Sequence, residues 1–229
     1  MKARRVRQIG TAIAIFPLFL LLFPASSMSR EIAPREAVQA AHDRLEFFLK
    51  AIPVNDLSHY GFSAEEDLAN ATLGDPVRVY TISPDGLFGY TEKMELSSLL
   101  SPTDLWFFPV LYLGDVRTIL TVDKMNGELK AVAIGSSGLA RQLKEVQDTW
   151  PESEGYEHTF VRIFQAQADF VILFKEESVK MVPLESAKVA LKLDKTGKEA
   201  YRLYNASDLL PELIPLVRWN IQYHKTIED

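Results

Sequence analysis

The chain has 229 residues, 47% of them hydrophobic and 24% charged, a globular composition that allows one large domain or two small ones. It holds no cysteine, which excludes disulfide frameworks, thiolate zinc sites, iron–sulfur clusters and thiol catalysis. Its formal net charge of −6 argues against a nucleic-acid partner.

The N-terminus reads as an export signal. Lys2, Arg4, Arg5 and Arg7 form a basic head, residues 9–23 are almost wholly apolar, and Ala25-Ser26-Ser27 supplies small residues at the exit. The apolar run falls short of the roughly 20 residues a spanning helix needs, and Pro17 would kink it. The expectation is a signal peptide over residues 1–27, cleaved after Ser27, and one exported domain over 28–229 in the periplasm or outside the cell. An uncleaved anchor is the alternative, and only that would bring the protein to a membrane. Cleavage leaves 21 Lys and Arg against 31 Asp and Glu, a net charge of −10, with no basic run remaining.

From residue 35 the spacing of Ala37, Ala41, Leu45, Phe48, Leu49 and Ile52 predicts an amphipathic helix opened by Pro34 and closed by Pro53. Ser63-Ala64-Glu65-Glu66 reads as a capping box, opening a short helix that ends near Gly74. Residues 77–82 read as a strand, followed by a Ser83-Pro84-Asp85-Gly86 turn.

Residues 105–134 read as an antiparallel meander, with strands at 105–113, 116–124 and 128–134. Gly114-Asp115 and Asn126-Gly127 are its two-residue turns, because Gly and Asn accept positive φ. That register sets Val122 opposite Ala131 and Asp123 opposite Lys130. Pro109 cannot donate to a ladder, so its strand should be an edge or bulged there. Ser136 or Ser137 should cap a helix over 138–150 with Leu139, Leu143, Val146 and Trp150 in one stripe, and Leu139, Leu143 and Trp150 should be buried.

Residues 151–156 are polar and mark a possible sub-boundary. Beyond them, 160–164, 170–174 and 179–182 read as strands and 184–191 as a short helix, so the chain could hold two degenerate βββα halves. A loop or hairpin around Thr196-Gly197 and a last helix capped by Ser207, with Leu213, Val217 and Ile221 in one row, complete an α+β fold. Its antiparallel meanders should carry helices packed on one face.

Catalytic signatures are scarce. His42, His59, His158 and His224 lack helical metal spacing, so neither a metal nor a cofactor is expected. Gly135-Ser136-Ser137-Gly138 departs from the nucleophile-elbow spacing and is better explained as a helix start. Glu65-Glu66-Asp67 and Glu176-Glu177 read as a helix first turn and a hairpin turn. Two candidate groups remain. His59 and Tyr60 sit in a loop, where function concentrates. Trp106-Phe107-Phe108 places three aromatics in successive strand positions, so they cannot all face one side. They are core if both faces are covered, and anchors for a partner, with Tyr112, if one face is open.

The strand segments Val79-Tyr80-Thr81-Ile82, Trp106-Phe107-Phe108-Pro109-Val110 and Leu120-Thr121-Val122, with Leu73-Gly74-Asp75-Pro76 before them, carry a resemblance. They resemble uncharacterised exported bacterial proteins, some similar to the non-catalytic region preceding secreted papain-like peptidase domains. The order of helix and meander is also similar to cystatin-like and PepSY-like pro-domain modules. Without a Cys, no protease activity comes with the resemblance. What it implies is an exported, non-catalytic binding module, inhibitor-like or pro-domain-like, whose partner is another exported or envelope protein. The alternatives are an exported hydrolase built from scattered carboxylates or histidines, and a membrane-tethered structural envelope protein.

Overall fold

A computed structural model describes residues 31–193 and 201–228. The signal-like segment and the Thr196-Gly197 turn lie outside the described residues. The strands are β1 (Thr72–Leu73), β2 (Val77–Ile82), β3 (Leu100–Tyr112), β4 (Asp115–Met125), β5 (Glu128–Gly135), β6 (Glu157–Ile163), β7 (Ala168–Lys175) and β8 (Ser178–Pro183). They form one sheet in the order β5-β4-β3-β2-β6-β7-β8, with β1 also paired to β3. The fold is α+β and mostly antiparallel. Two meanders, β3-β4-β5 and β6-β7-β8, run outward from β2, and the β2–β6 pair is parallel.

The helices are α1 (Arg35–Lys50), α2 (Glu65–Ala69), α3 (Pro84–Phe88), α4 (Ser137–Thr149), α5 (Glu185–Ala190) and α6 (Ala206–Glu228). Period-2 alternation divides the strand side chains between two faces. Trp106, Phe108, Val110, Leu120 and Val122 pack on Ala37, Ala41 and Leu49 of α1. Phe107 and Ile119 point the other way, onto Ala140 and Val146 of α4. In the second meander Val161, Ile163, Phe170 and Ile172 pack on Leu209, Leu213 and Val217 of α6. Thus α4 takes one face as expected, and α1 and α6 cover the other.

The expected register holds in the second hairpin: Val122 faces Ala131 and Asp123 faces Lys130 across the Asn126-Gly127 turn. The first turn lies one residue earlier than expected. Leu113 (φ 52°) and Gly114 (φ 85°) are its two loop residues, so Tyr112 pairs with Asp115. Leu113 points into solvent and accepts the strained φ, leaving Gly at the second loop position as in Asn126-Gly127.

Pro109 is not in an edge strand, since β3 lies between β2 and β4. Its carbonyl accepts from Gly74 N–H at 2.7 Å. In an antiparallel strand the N and O of one residue point the same way. The proline nitrogen therefore faces the break between β1 and β2, and no ladder bond is lost. A register shift follows at Val110/Leu111.

Other local readings are corrected by side-chain reach. Asp67, not Glu66, closes the cap before α2, accepting from the N–H groups of Ser63 and Ala64 at 3.0 Å each, and α2 ends at Ala69 rather than near Gly74. Ser83 accepts from Gly86 N–H, so the expected turn becomes the first turn of α3. Ser136 adopts a left-handed conformation (φ 61°) ahead of α4 and makes no cap bond. The residues of α4 that are wholly buried are Ala140 and Val146, whereas Leu139, Leu143 and Trp150 are half-buried. Finally, α6 starts at Ala206, where Asp208 accepts from Asn205 N–H, and the helix runs on through Pro211 and Pro215, which donate no ladder bond of their own.

Candidate functional site

The structure moves the aromatic candidates indoors. Trp106, Phe107 and Phe108 are 2%, 4% and 2% exposed, because β3 is an interior strand covered on both faces. They are core residues and offer no open surface. Tyr112 is half-buried, and its hydroxyl is committed to the Asp67 carboxylate. The two loop candidates have structural work as well. His59 is exposed, packs edge-to-face on Tyr60 at 5.5 Å, and its carbonyl accepts from the Ser137 hydroxyl at 2.6 Å. The structure thus joins His59 to Ser137, but through the His59 backbone carbonyl and not through its imidazole. Gly61 ends that loop at φ 81°, where a Cβ would stand 2.4 Å from the Arg117 carbonyl oxygen, so only glycine fits.

What sequence reasoning missed is a cleft where the two meanders meet. The parallel β2–β6 ladder consists of two residue pairs, Val79 with Phe160 and Tyr80 with Val161. Ahead of them β2 follows β3, through Val77 paired with Phe107, while β6 follows β7, through Glu157 paired with Phe174. The strands part, and a cavity of about 420 Å³ opens between them beneath α4. Phe107, Ile119, Phe160 and Val171 form its floor, and Ala140, Leu143, Lys144 and Gln147 line it from one side of α4. Ala140 is small, which leaves the room, and Leu143 is half-buried because it faces this space.

Polar groups gather around the cleft. Arg78 and Tyr80 of β2 bind the carboxylate of Glu31, which precedes α1. On the β6 side lie Glu157, His158 and Thr159, with Glu152 nearby. Both ring nitrogens of His158 and one carboxylate oxygen of Glu157 are buried without a hydrogen-bond partner of normal geometry. Burial holds the His158 imidazole below the ordinary histidine value, although the neighbouring Trp150 backbone and Glu152 favour the charged form. Adjacent strand residues point to opposite faces, so Glu157 and His158 cannot act as one acid–base pair.

A two-bond ion pair lies just beyond the floor. Arg162 holds Asp169 through two bonds of 2.6 and 2.9 Å, and its guanidinium carbon lies 5.5 Å over the Phe107 ring and 5.7 Å over Phe160. The backbone N–H of Asp169 also donates to the Ser186 hydroxyl oxygen at 2.9 Å, which ties α5 to β7. The carboxylate of Asp169 and the guanidinium of Arg162 thus satisfy one another. Among the described residues no three His, Asp or Glu side chains gather in a way that could hold a metal ion, and no helix is long and apolar enough to cross a membrane. No protein-family model, curated protein or solved structure matches the chain.

Proposed function

We propose that the protein is an exported, non-catalytic binding module that takes a small, largely apolar ligand into the cleft between β2 and β6. The observation that carries this reading is the cavity itself, about 420 Å³ with an apolar floor and a few convergent polar groups at its rim. That is the size and lining of small-molecule sites, roughly 300–1,000 Å³. Export rests on the basic head and apolar run of residues 1–27. The test is titration with a neutral apolar fluorophore such as N-phenyl-1-naphthylamine, against wild type and Ala140→Phe. Saturable binding that the added ring abolishes, with folding retained, supports the cleft. Absent saturable binding, or binding indifferent to Ala140→Phe, argues against it.

A second reading, capture of another exported or envelope protein, is favoured by one surface. Trp219 stacks on Tyr223 at 5.1 Å and 14° on α6, and the two are 61% and 52% exposed. Exposed Trp and Tyr are frequent binding anchors. Cross-linking in the exported fraction should then lose a specific adduct in Trp219→Ala. An unchanged pattern counts against this surface.

A further inference from the structure

Glu31 belongs to no strand or helix, yet its carboxylate sits in a prepared position where the cleft passes between β2 and β6, on the α1 and α6 face of the sheet rather than on the α4 face that carries the apolar floor. One oxygen pairs with the Arg78 guanidinium, and the other accepts from the Tyr80 hydroxyl at 2.7 Å. Both donors are fixed independently of Glu31. Arg78 donates through Nε to the Thr103 carbonyl at 2.7 Å, and its guanidinium carbon lies 5.4 Å over the Trp106 ring. Tyr80 follows two residues later on the same face of β2 and packs against the core beneath α6. Burial, then the bond to Glu31, push the Tyr80 hydroxyl up to about 12, so it remains a donor at neutral pH.

A guanidinium and a hydroxyl, each held by its strand, thus grip the two oxygens of one carboxylate. Arg78 is mostly covered, whereas Glu31 is more exposed and is carried by the residues ahead of α1. The receptor is rigid and its occupant is a tethered side chain. Glu152 and Glu157 line the opposite side of the cleft and repel a second anion there, which directs an acidic head group to β2.

We propose that Arg78 and Tyr80 form a carboxylate seat for an amphipathic acid whose apolar body lies in the cleft, and that Glu31 is the built-in occupant it displaces. The proposal rests on the cleft reading above. A tethered competitor lowers the apparent affinity of any external one by the fraction of seats it fills. Removing Glu31 should therefore tighten binding of acids and leave neutral ligands alone.

The experiment displaces N-phenyl-1-naphthylamine from the full chain with decanoate and with decanol. Decanoate should compete at a concentration about tenfold lower than decanol, a factor that one charge-assisted hydrogen bond can supply. Glu31→Gln should improve decanoate several-fold and leave decanol unchanged. Arg78→Gln should erase the preference. Should that variant fail to fold for want of its Thr103 bond, Tyr80→Phe, which keeps the ring, should narrow it. If the fluorophore binds but decanoate and decanol compete equally in every variant, the seat is wrong and the cleft reading stands. If the fluorophore does not bind at all, both fall.

Discussion

The two meanders share an order of elements but differ in how they are covered. Within β6-β7-β8, β7 runs Ala168 to Leu173 with every residue buried, and β8 is closed at its outer edge by an antiparallel bridge between Met181 and Tyr204. Within β3-β4-β5, the outer strand β5 buries no residue fully, Val132 is 40% exposed, and among the described residues no strand lies beyond it. The second meander is a finished core. The first is finished on its inner strands and open at its rim, and the cleft opens where the two diverge. Continuous apolar runs mark strands covered on both faces, while mixed patterns mark strands with a side left open.

The largest expected effect tests that contrast. Phe170→Ala in the double-faced second meander should cost about 4 kcal/mol, as deletion of a fully buried ring typically does. Phe107→Ala should cost less, about 3 kcal/mol, because Phe107 borders a cavity that already exists and the deleted volume joins it. Urea denaturation of both variants decides the matter, and a reversed order would break the comparison. Either value makes Phe107 a core residue rather than an anchor for a partner.

Next comes the ion pair that ties β6 to β7. Asp169→Ala should cost about 3 kcal/mol, since it leaves the half-buried Arg162 without its carboxylate over the Phe107 and Phe160 rings. Replacing both partners, Arg162→Met with Asp169→Leu, should recover much of that loss. A single variant that costs well under 1 kcal/mol would show that Arg162 finds water instead, and that this junction is wetter than the second core. A smaller effect, about 1 kcal/mol, is expected from Ser137→Ala, which removes the bond to the His59 carbonyl. Hydrogen exchange should rise in residues 54–60 and stay unchanged in β7, and a rise in both would mean that the two halves unfold as one.

Local chemistry explains which parts of this were legible. The Asn126-Gly127 hairpin and its register follow from φ preferences and one cross-strand charge pair, both readable within ten residues. The first turn was placed a residue late because Gly114 can serve either loop position, and nothing nearby says that Leu113 takes the other. The α4 stripe picks out Val146, which is wholly buried, but misses the small Ala140, and its Leu143 stays half-buried because it faces the cleft. The cleft itself combines Glu31, Arg78, Phe107, Lys144 and His158, brought together by a parallel β2–β6 pairing that no short-range pattern encodes. One signal was present. Arg78 is a lone charge in the otherwise uncharged run Val77-Arg78-Val79-Tyr80-Thr81-Ile82, at a position whose alternation points toward the core.

The smallest expected effect belongs to the junction between the two meanders. Burial holds His158 below the ordinary histidine value of about 6.5. Below that pH the unfolded chain takes up a proton that the folded chain resists. Stability is therefore fully present above about pH 6.5 and is lost as pH falls through the folded value. Thermal unfolding should show a shallow drop in Tm between pH 7.5 and 5.5, beyond the loss common to the carboxylates. His158→Gln, which cannot titrate, should flatten that part of the curve. The sign discriminates between two pictures of the site. Were Glu152 and the Trp150 backbone to outweigh burial, the folded state would hold its proton more tightly, and acidification toward pH 6 would stabilise the wild type relative to His158→Gln. A Tm difference in that direction would mean that the β6 side of the cleft carries a positive charge near neutral pH and resembles a wet rim rather than the dry second core.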